Sequence, residues 1–307
     1  MSRVIERPSN DIAIDSDGTK SRSSGRSPLA VAQSIVQSPA FLPGSAVAVA
    51  LLVAFWELIR VLPSLYLDSD GYYSHGLLIP LISGYVVYRR WPSLRTLEVK
   101  PSWWALIPLA GIIYVLRPAT GATMLSVLSL LWVASILCGI WFVAGARWMF
   151  ATAAPVIYLL LGLPVWSMAI NTYTNPLQLL STKVAYEMLA ALRFQPYLDG
   201  TTINLNHFVL DVGVPCSGLK LSVALAAFSI FFILVANLKL WANLTLLVLI
   251  LPLALFFNGL RIAMIGIVGE TWGEAAGHSF HDYSGYLMLV ICFVTLFKIA
   301  RWLGWKD

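Results

Sequence analysis

Long apolar runs recur along the chain from about residue 45 to residue 303, separated by short polar connections. A bilayer crossing takes about 20 apolar residues. At that length the runs predict eight transmembrane helices, near 45–66, 76–90, 103–117, 122–144, 148–166, 218–237, 242–267 and 283–303. Residues 1–43 are rich in Ser, Arg, Asp and Pro and lack apolar periodicity, so they read as a disordered cytoplasmic tail ahead of one membrane domain, 44–307. They do not read as a signal peptide, because the first apolar run starts late, is long, and is followed by no small-residue cleavage site.

The longest polar interruption, 167–217, has its own pattern. Apolar residues recur at helical spacing from Asn171 to Phe194, as in a helix lying at the interface. After Pro196 the period changes to two: Ile203 and Leu205, then Phe208, Leu210 and Val212, predict a small hairpin turning at Asn206-His207. The expected fold is an all-α polytopic membrane protein with a small extracytoplasmic hairpin leading into the helix that starts near Cys216.

Composition agrees: 59% of residues are hydrophobic and 11% charged, against about a quarter charged in a soluble domain. The net charge of +5 does not point to nucleic acid, since the basic residues fall between apolar runs and form no basic aromatic groove. They set topology instead. With the N-terminus inside, the cytoplasmic segments hold Arg3, Arg7, Lys20, Arg22, Arg26, Arg89, Arg90, Arg95, Lys100, Arg147, Lys239, Lys298, Arg301 and Lys306, and the outer ones only Arg117, Lys183 and Arg193. Fourteen against three puts both termini in the cytoplasm. Arg60, Lys220 and Arg261 fall within spans, toward the outer face, and weaken the bias without reversing it.

That orientation sends three polar segments outward: Asp68 to His75, 167–217, and Gly269 to Asp282. Cys138 and Cys292 lie inside apolar runs, where a free thiol behaves as a small hydrophobe. Cys216 alone has an aqueous address. Followed by Ser217 and Gly218, it falls at the start of a helix, where unpaired N–H groups and the dipole favour a thiolate; an inert buried thiol is the other reading. Arg261 lies in an apolar helix, where a charge costs ~2.5–3.5 kcal/mol near the bilayer centre. Asn258 shares its face. A structural Arg261 that snorkels outward or pairs with Glu57 is the alternative. His281 precedes the last span with Asp282 beside it and Ser284 as a cap, and a neutral imidazole there can exchange protons with a thiol. His278 is its rival for that role, with His207 and His75 weaker ones. His278, His281 and Asp282 with Glu270 and Glu274 lack the spacing of a metal site, and no metal or cofactor is expected.

The ordered motifs resemble the exosortase/archaeosortase family of membrane cysteine transpeptidases. Pro-Cys216-Ser-Gly-Leu is similar to the family's Ala-Cys-Ser-Gly motif with Pro215 in place of Ala, Asn258-Gly-Leu-Arg261-Ile to its Asn-x-x-Arg-Ile motif, His281-Asp-Tyr-Ser-Gly285 to its closing His motif, and Tyr73-Ser-His-Gly-Leu to its early Ser-His-Gly segment. The resemblance implies Cys216 as nucleophile, Arg261 as stabiliser of the thiolate or oxyanion, and His281 as acid/base, with Ser217, Gly218, Asn258, Asp282 and His75 supporting them or binding substrate. It implies as partners secreted or membrane proteins with a C-terminal PEP-CTERM-like sorting signal (a short Pro-containing motif, a transmembrane helix and a basic tail) and an unidentified acceptor. It also implies the inner membrane of a Gram-negative cell. A transporter with Arg261 and Glu57 along its path, or an export scaffold, is the competing class.

Overall fold

Helices satisfy every backbone group internally, which is why an apolar chain crossing lipid adopts them. The computed structural model of the protein, which is 78% helical, describes residues 36–38, 40–68, 71–121, 125–236 and 238–305. The stretch 1–35, on which the expected tail falls, lies outside the described residues.

The helices run in the order α1 (Phe41–Ala54), α2 (Trp56–Leu67), α3 (Leu78–Leu94), α4 (Leu106–Gly121), α5 (Leu125–Ala144), α6 (Ala146–Tyr158), α7 (Ser167–Ala191), α8 (Leu219–Ala236), α9 (Leu240–Val248), α10 (Ile250–Trp272) and α11 (Glu274–Trp302). Four segments are long and apolar enough to cross a membrane: α5, α8, α9 with α10, and α11. The pair α1 and α2, bent by 75°, would make a fifth. The protein is thus an all-α, multi-pass membrane protein. The expected runs at 103–117 and 148–166 correspond to shorter apolar helices. The break between α9 and α10 has a local cause: Pro252 has no N–H for the carbonyl of Val248, and α10 starts two residues ahead of it.

The expected hairpin is present, with one strand more than the pattern showed. Strands β1 (Tyr197–Asp199), β2 (Thr202–Asn204) and β3 (Val209–Asp211) form an antiparallel meander in that order, Ile203 pairing with Leu198 on one side and Leu210 on the other. The turn between β2 and β3 closes with Leu205 N–H donating to Phe208 O (2.9 Å), which places Asn206 and His207 at its tip. Every apolar position of the alternating pattern is buried: Ile203, Leu205, Phe208, Leu210 and Val212. They pack with Ala185 and Leu189 of α7 and Ile262 and Ile265 of α10 into one cluster. A second cluster joins α8, α9, α10 and α11 through Leu225, Phe232, Leu246, Ala254, Met288 and Leu296.

Helix α7 also departs from expectation. It starts at Ser167 and lies along α10 with Ser181, Thr182, Ala185 and Leu189 fully buried. Gly259 allows this approach, since a Cβ there would sit 2.9 Å from Val184 Cβ. Gly259→Val is expected to cost about 1–3 kcal/mol by overpacking, read as a lower unfolding midpoint in detergent, and Val184→Ala should restore part of the loss. An unchanged midpoint would show that α7 and α10 are not tightly joined at this point.

Candidate active site

The sheet delivers the chain to Cys216. From β3 the backbone passes Val212, whose N–H donates to Thr201 O (3.0 Å), and turns through a short 3-10 segment, Val214–Cys216. Cys216 was expected in the first turn of a helix; it lies instead three residues before α8 begins. Gly218 separates them, with φ of +82°, a conformation open to Gly at little cost. The helix-start argument for its ionisation therefore gives way to what its side chain touches.

Irregular backbone at this position must find partners for its carbonyls. Two helices supply them with side chains. Asn258 Nδ2 of α10 donates to Cys216 O (2.6 Å), Ser181 Oγ of α7 donates to Ser217 O (3.1 Å), and Gln178 Nε2, also of α7, donates to Val212 O. Ser217 is fully buried, and its Oγ accepts weakly from Leu219 N–H at 3.4 Å.

His281 meets the thiol. Its Nε2 is 3.1 Å from Cys216 Sγ, within hydrogen-bond reach for sulfur. The sequence placed His281 in a loop before the last span, with Ser284 as the cap of that span; both were wrong. Helix α11 begins at Glu274, and His281 stands two turns inside it. Polar residues in those turns had resembled a loop, yet Gly277 and Ser284 are buried against neighbours while His278 and Asp282 face out. Ser284 Oγ instead accepts from Arg261 Nε (3.0 Å) and donates to His281 O (3.0 Å), and Arg261 Nη2 donates to that same carbonyl (3.2 Å). Arg261 thus holds the helical turn that carries the imidazole.

The other expected residues sort by geometry. His278 is exposed and turned to Glu274, 3.6 Å away. His207 bonds Glu270 near the end of α10. Asp282 Oδ1 is 3.5 Å from His281 Nδ1 with its side chain mostly in solvent, the limit of a hydrogen bond and a weak orienting contact. Glu57 pairs with Arg60 one turn away. Among the described residues no group of three His, Cys, Asp or Glu side chains converges as a metal site would require.

A cavity of about 370 Å³ opens beside the pair. Its polar wall comprises His281, Asp282, Arg261, Asn258, Lys220 and His75, and its apolar wall Leu78, Leu221, Met288 and Leu289. Cys216 is not on the wall; at 5% exposure it sits behind His281 and Gly218. His75 is buried to the same degree, and burial pushes its pKa below the usual histidine range, with the charge of Lys220 adding in the same direction. Its Nε2 lies 3.2 Å from Leu161 O and must carry the proton, which leaves Nδ1 an acceptor with no partner among the described residues.

Three participants were missed in the sequence: Gln178 and Ser181 as carbonyl anchors, and Ser284 as the partner of Arg261. The first two carried a signal, because Thr174, Gln178, Ser181 and Thr182 form a polar stripe at helical spacing on the face of α7 that turned out to be buried. Ser284 lies three residues after His281, a spacing that joins them only once the segment is known to be helical.

The family model for transmembrane exosortase matches residues 67–298, a range that includes every residue described at the site. No curated protein and no solved structure matches the chain.

A Cβ at residue 218 would lie 3.1 Å from Asn258 Nδ2 and 3.2 Å from Ser181 Oγ, two of the three groups that anchor the thiol segment. Gly218→Ala is expected to cost about 1–3 kcal/mol through the positive φ alone, measured as a lower unfolding midpoint. Wild-type stability in that variant would show that the turn relaxes freely.

Proposed function

The chain belongs to the transmembrane exosortase family, and on that premise we propose that it is a membrane cysteine peptidase and transpeptidase. Its substrates are secreted proteins with a C-terminal PEP-CTERM-like signal, which it cuts at the outer face of the inner membrane and transfers to an anchor. The single observation that carries this reading is the 3.1 Å contact of Cys216 Sγ with His281 Nε2, on a helical turn held by Arg261.

The chemistry follows from those atoms. His281 Nε2 takes the Sγ proton, and the thiolate attacks the scissile carbonyl carbon. The oxyanion so formed is met by Arg261, whose Nε and Nη2 are already committed to Ser284 and His281, leaving Nη1 for the developing charge. As the tetrahedral intermediate collapses, the C–N bond breaks and the imidazolium returns its proton to the leaving amine. The resulting thioester is resolved by an acceptor amine, which transfers the protein; water in its place gives cleavage alone.

We read the eight apolar runs as eight crossings with both termini cytoplasmic. Charge supports that orientation: Lys239 follows the end of α8 remote from Cys216, and Lys298 and Arg301 lie at the end of α11 remote from His281. The thiol is then extracytoplasmic. Reporter fusions after Arg95 and Lys239 should both report the cytoplasm, and an outside signal at either would break this topology.

In cells expressing a protein with a candidate C-terminal signal, Cys216→Ala, Arg261→Ala and His281→Ala should each reach the membrane and leave the signal uncut. Loss at Cys216 or His281 is expected to exceed a hundredfold. Intact mass of the wild-type product separates transfer from hydrolysis. Normal processing by Cys216→Ala would overturn the nucleophile and favour an export scaffold.

A further inference from the structure

The turn between β2 and β3 is fastened to the junction of α10 and α11 by groups that take no part in the reaction. Glu270, in the last turn of α10, accepts twice from one residue: His207 N–H donates to Oε2 and the ring Nδ1 lies on Oε1, both at 2.9 Å. Only 10% of the Glu270 side chain is exposed, whereas His207 is 81% exposed. The next residue, Phe208, is buried and seats its ring against two glycines, one from each helix. A Cβ on Gly269 would fall 2.5 Å from that ring and one on Gly277 3.1 Å from it. Gly273 completes the junction: its φ of +92° makes the reversal between α10 and α11, and its N–H caps Gly269 O (3.0 Å).

Both helices of this junction and the strand leading from it converge again on the reacting pair. Gly277 is one helical turn before His281, and Phe208 is eight residues before Cys216 along β3. Asn258, Ser181 and Gln178 fix the thiol segment to α10 and α7 but make no bond to α11. Phe208 does touch α11, and Glu270 holds it there through the backbone of His207.

We propose that Glu270, through His207 N–H and the Phe208 ring, is a positioning residue that keeps the Cys216 segment in register with the turn of α11 bearing His281. The inference rests on the thiol–imidazole reading above, and the test separates the two. The experiment uses the full chain in detergent micelles and follows iodoacetamide alkylation of Cys216 against pH, read by mass of the Cys216 peptide so that Cys138 and Cys292 do not contribute. Wild type should alkylate with a midpoint below that of an ordinary thiol, and His281→Ala should raise that midpoint. Glu270→Ala should raise the midpoint by about one pH unit, a tenfold change in reactive fraction. Glu270→Gln, which keeps the shape and one acceptor oxygen, should fall between, and it decides the matter if Glu270→Ala does not fold. His207→Ala keeps the backbone N–H and should stay within about twofold of wild type. If both Glu270 variants superimpose on wild type while His281→Ala is shifted, the clasp is refuted and the catalytic pair stands. If His281→Ala itself matches wild type, there is no pair to position and both readings fall.

Discussion

A guanidinium inside an apolar helix pair is the constraint on which this site depends. Arg261 stands eleven residues before the end of α10 at Trp272, about 16 Å along the axis at ~1.5 Å per residue. A charge so placed needs partners, and the carboxylate that sequence offered, Glu57, is occupied by Arg60. The fork finds Ser284 Oγ and His281 O on α11 instead. These two acceptors are three residues apart, on one face of one turn, so satisfying the charge also fixes the rotation of α11 about its axis. That rotation aims the imidazole of His281 at the thiol. A lysine could supply the charge but not the two-pronged geometry, because its ammonium is a single point rather than a planar fork.

The thiol is held by the complementary rule. A segment that is neither helix nor strand leaves its carbonyls without regular partners, and away from water each must be satisfied by a side chain. Here Val212, Cys216 and Ser217 receive Gln178, Asn258 and Ser181. These bonds explain why so small a sheet sits beside so many helices. Three residues per strand give little stability alone; the buried face of Ile203, Leu205, Phe208 and Leu210 against α7 and α10 gives the sheet its place, and the sheet gives the following turn its direction.

How much of this could be read in the sequence varied with the length scale of each signal. The alternation from Ile203 to Val212 was legible because one face is buried throughout, so the period survives folding. Strand β1 was not, since three residues with one half-buried position contain no period. Composition misled at the start of α11, where Glu274, His278 and Asp282 looked like a loop; they are the solvent face of a helix whose other face, Gly277 and Ser284, is covered. The motifs around Cys216, Asn258, Arg261 and His281 were visible as separate points, but their joining through Ser284 and His281 O depends on helical register that the residues alone did not reveal. Two of the expected runs, 103–117 and 148–166, also gave shorter apolar helices, because an apolar run and a straight helix are different things wherever Pro or Gly interrupts the ladder.

The cavity has a direction as well as a volume. Of its lining residues, polar His281 and apolar Met288 and Leu289 lie along one helix, α11. From His281 to Leu289 is eight residues of α11, about 12 Å at ~1.5 Å per residue. Across that distance the lining passes from groups that stabilise charge to groups that shed water. A substrate whose scissile bond lies just before a transmembrane helix has the same gradient, polar first and apolar after. For such a substrate, displacement along the axis would put peptide carbonyls against leucines or leucines against a guanidinium. Desolvation of either kind costs more than a single side-chain contact returns.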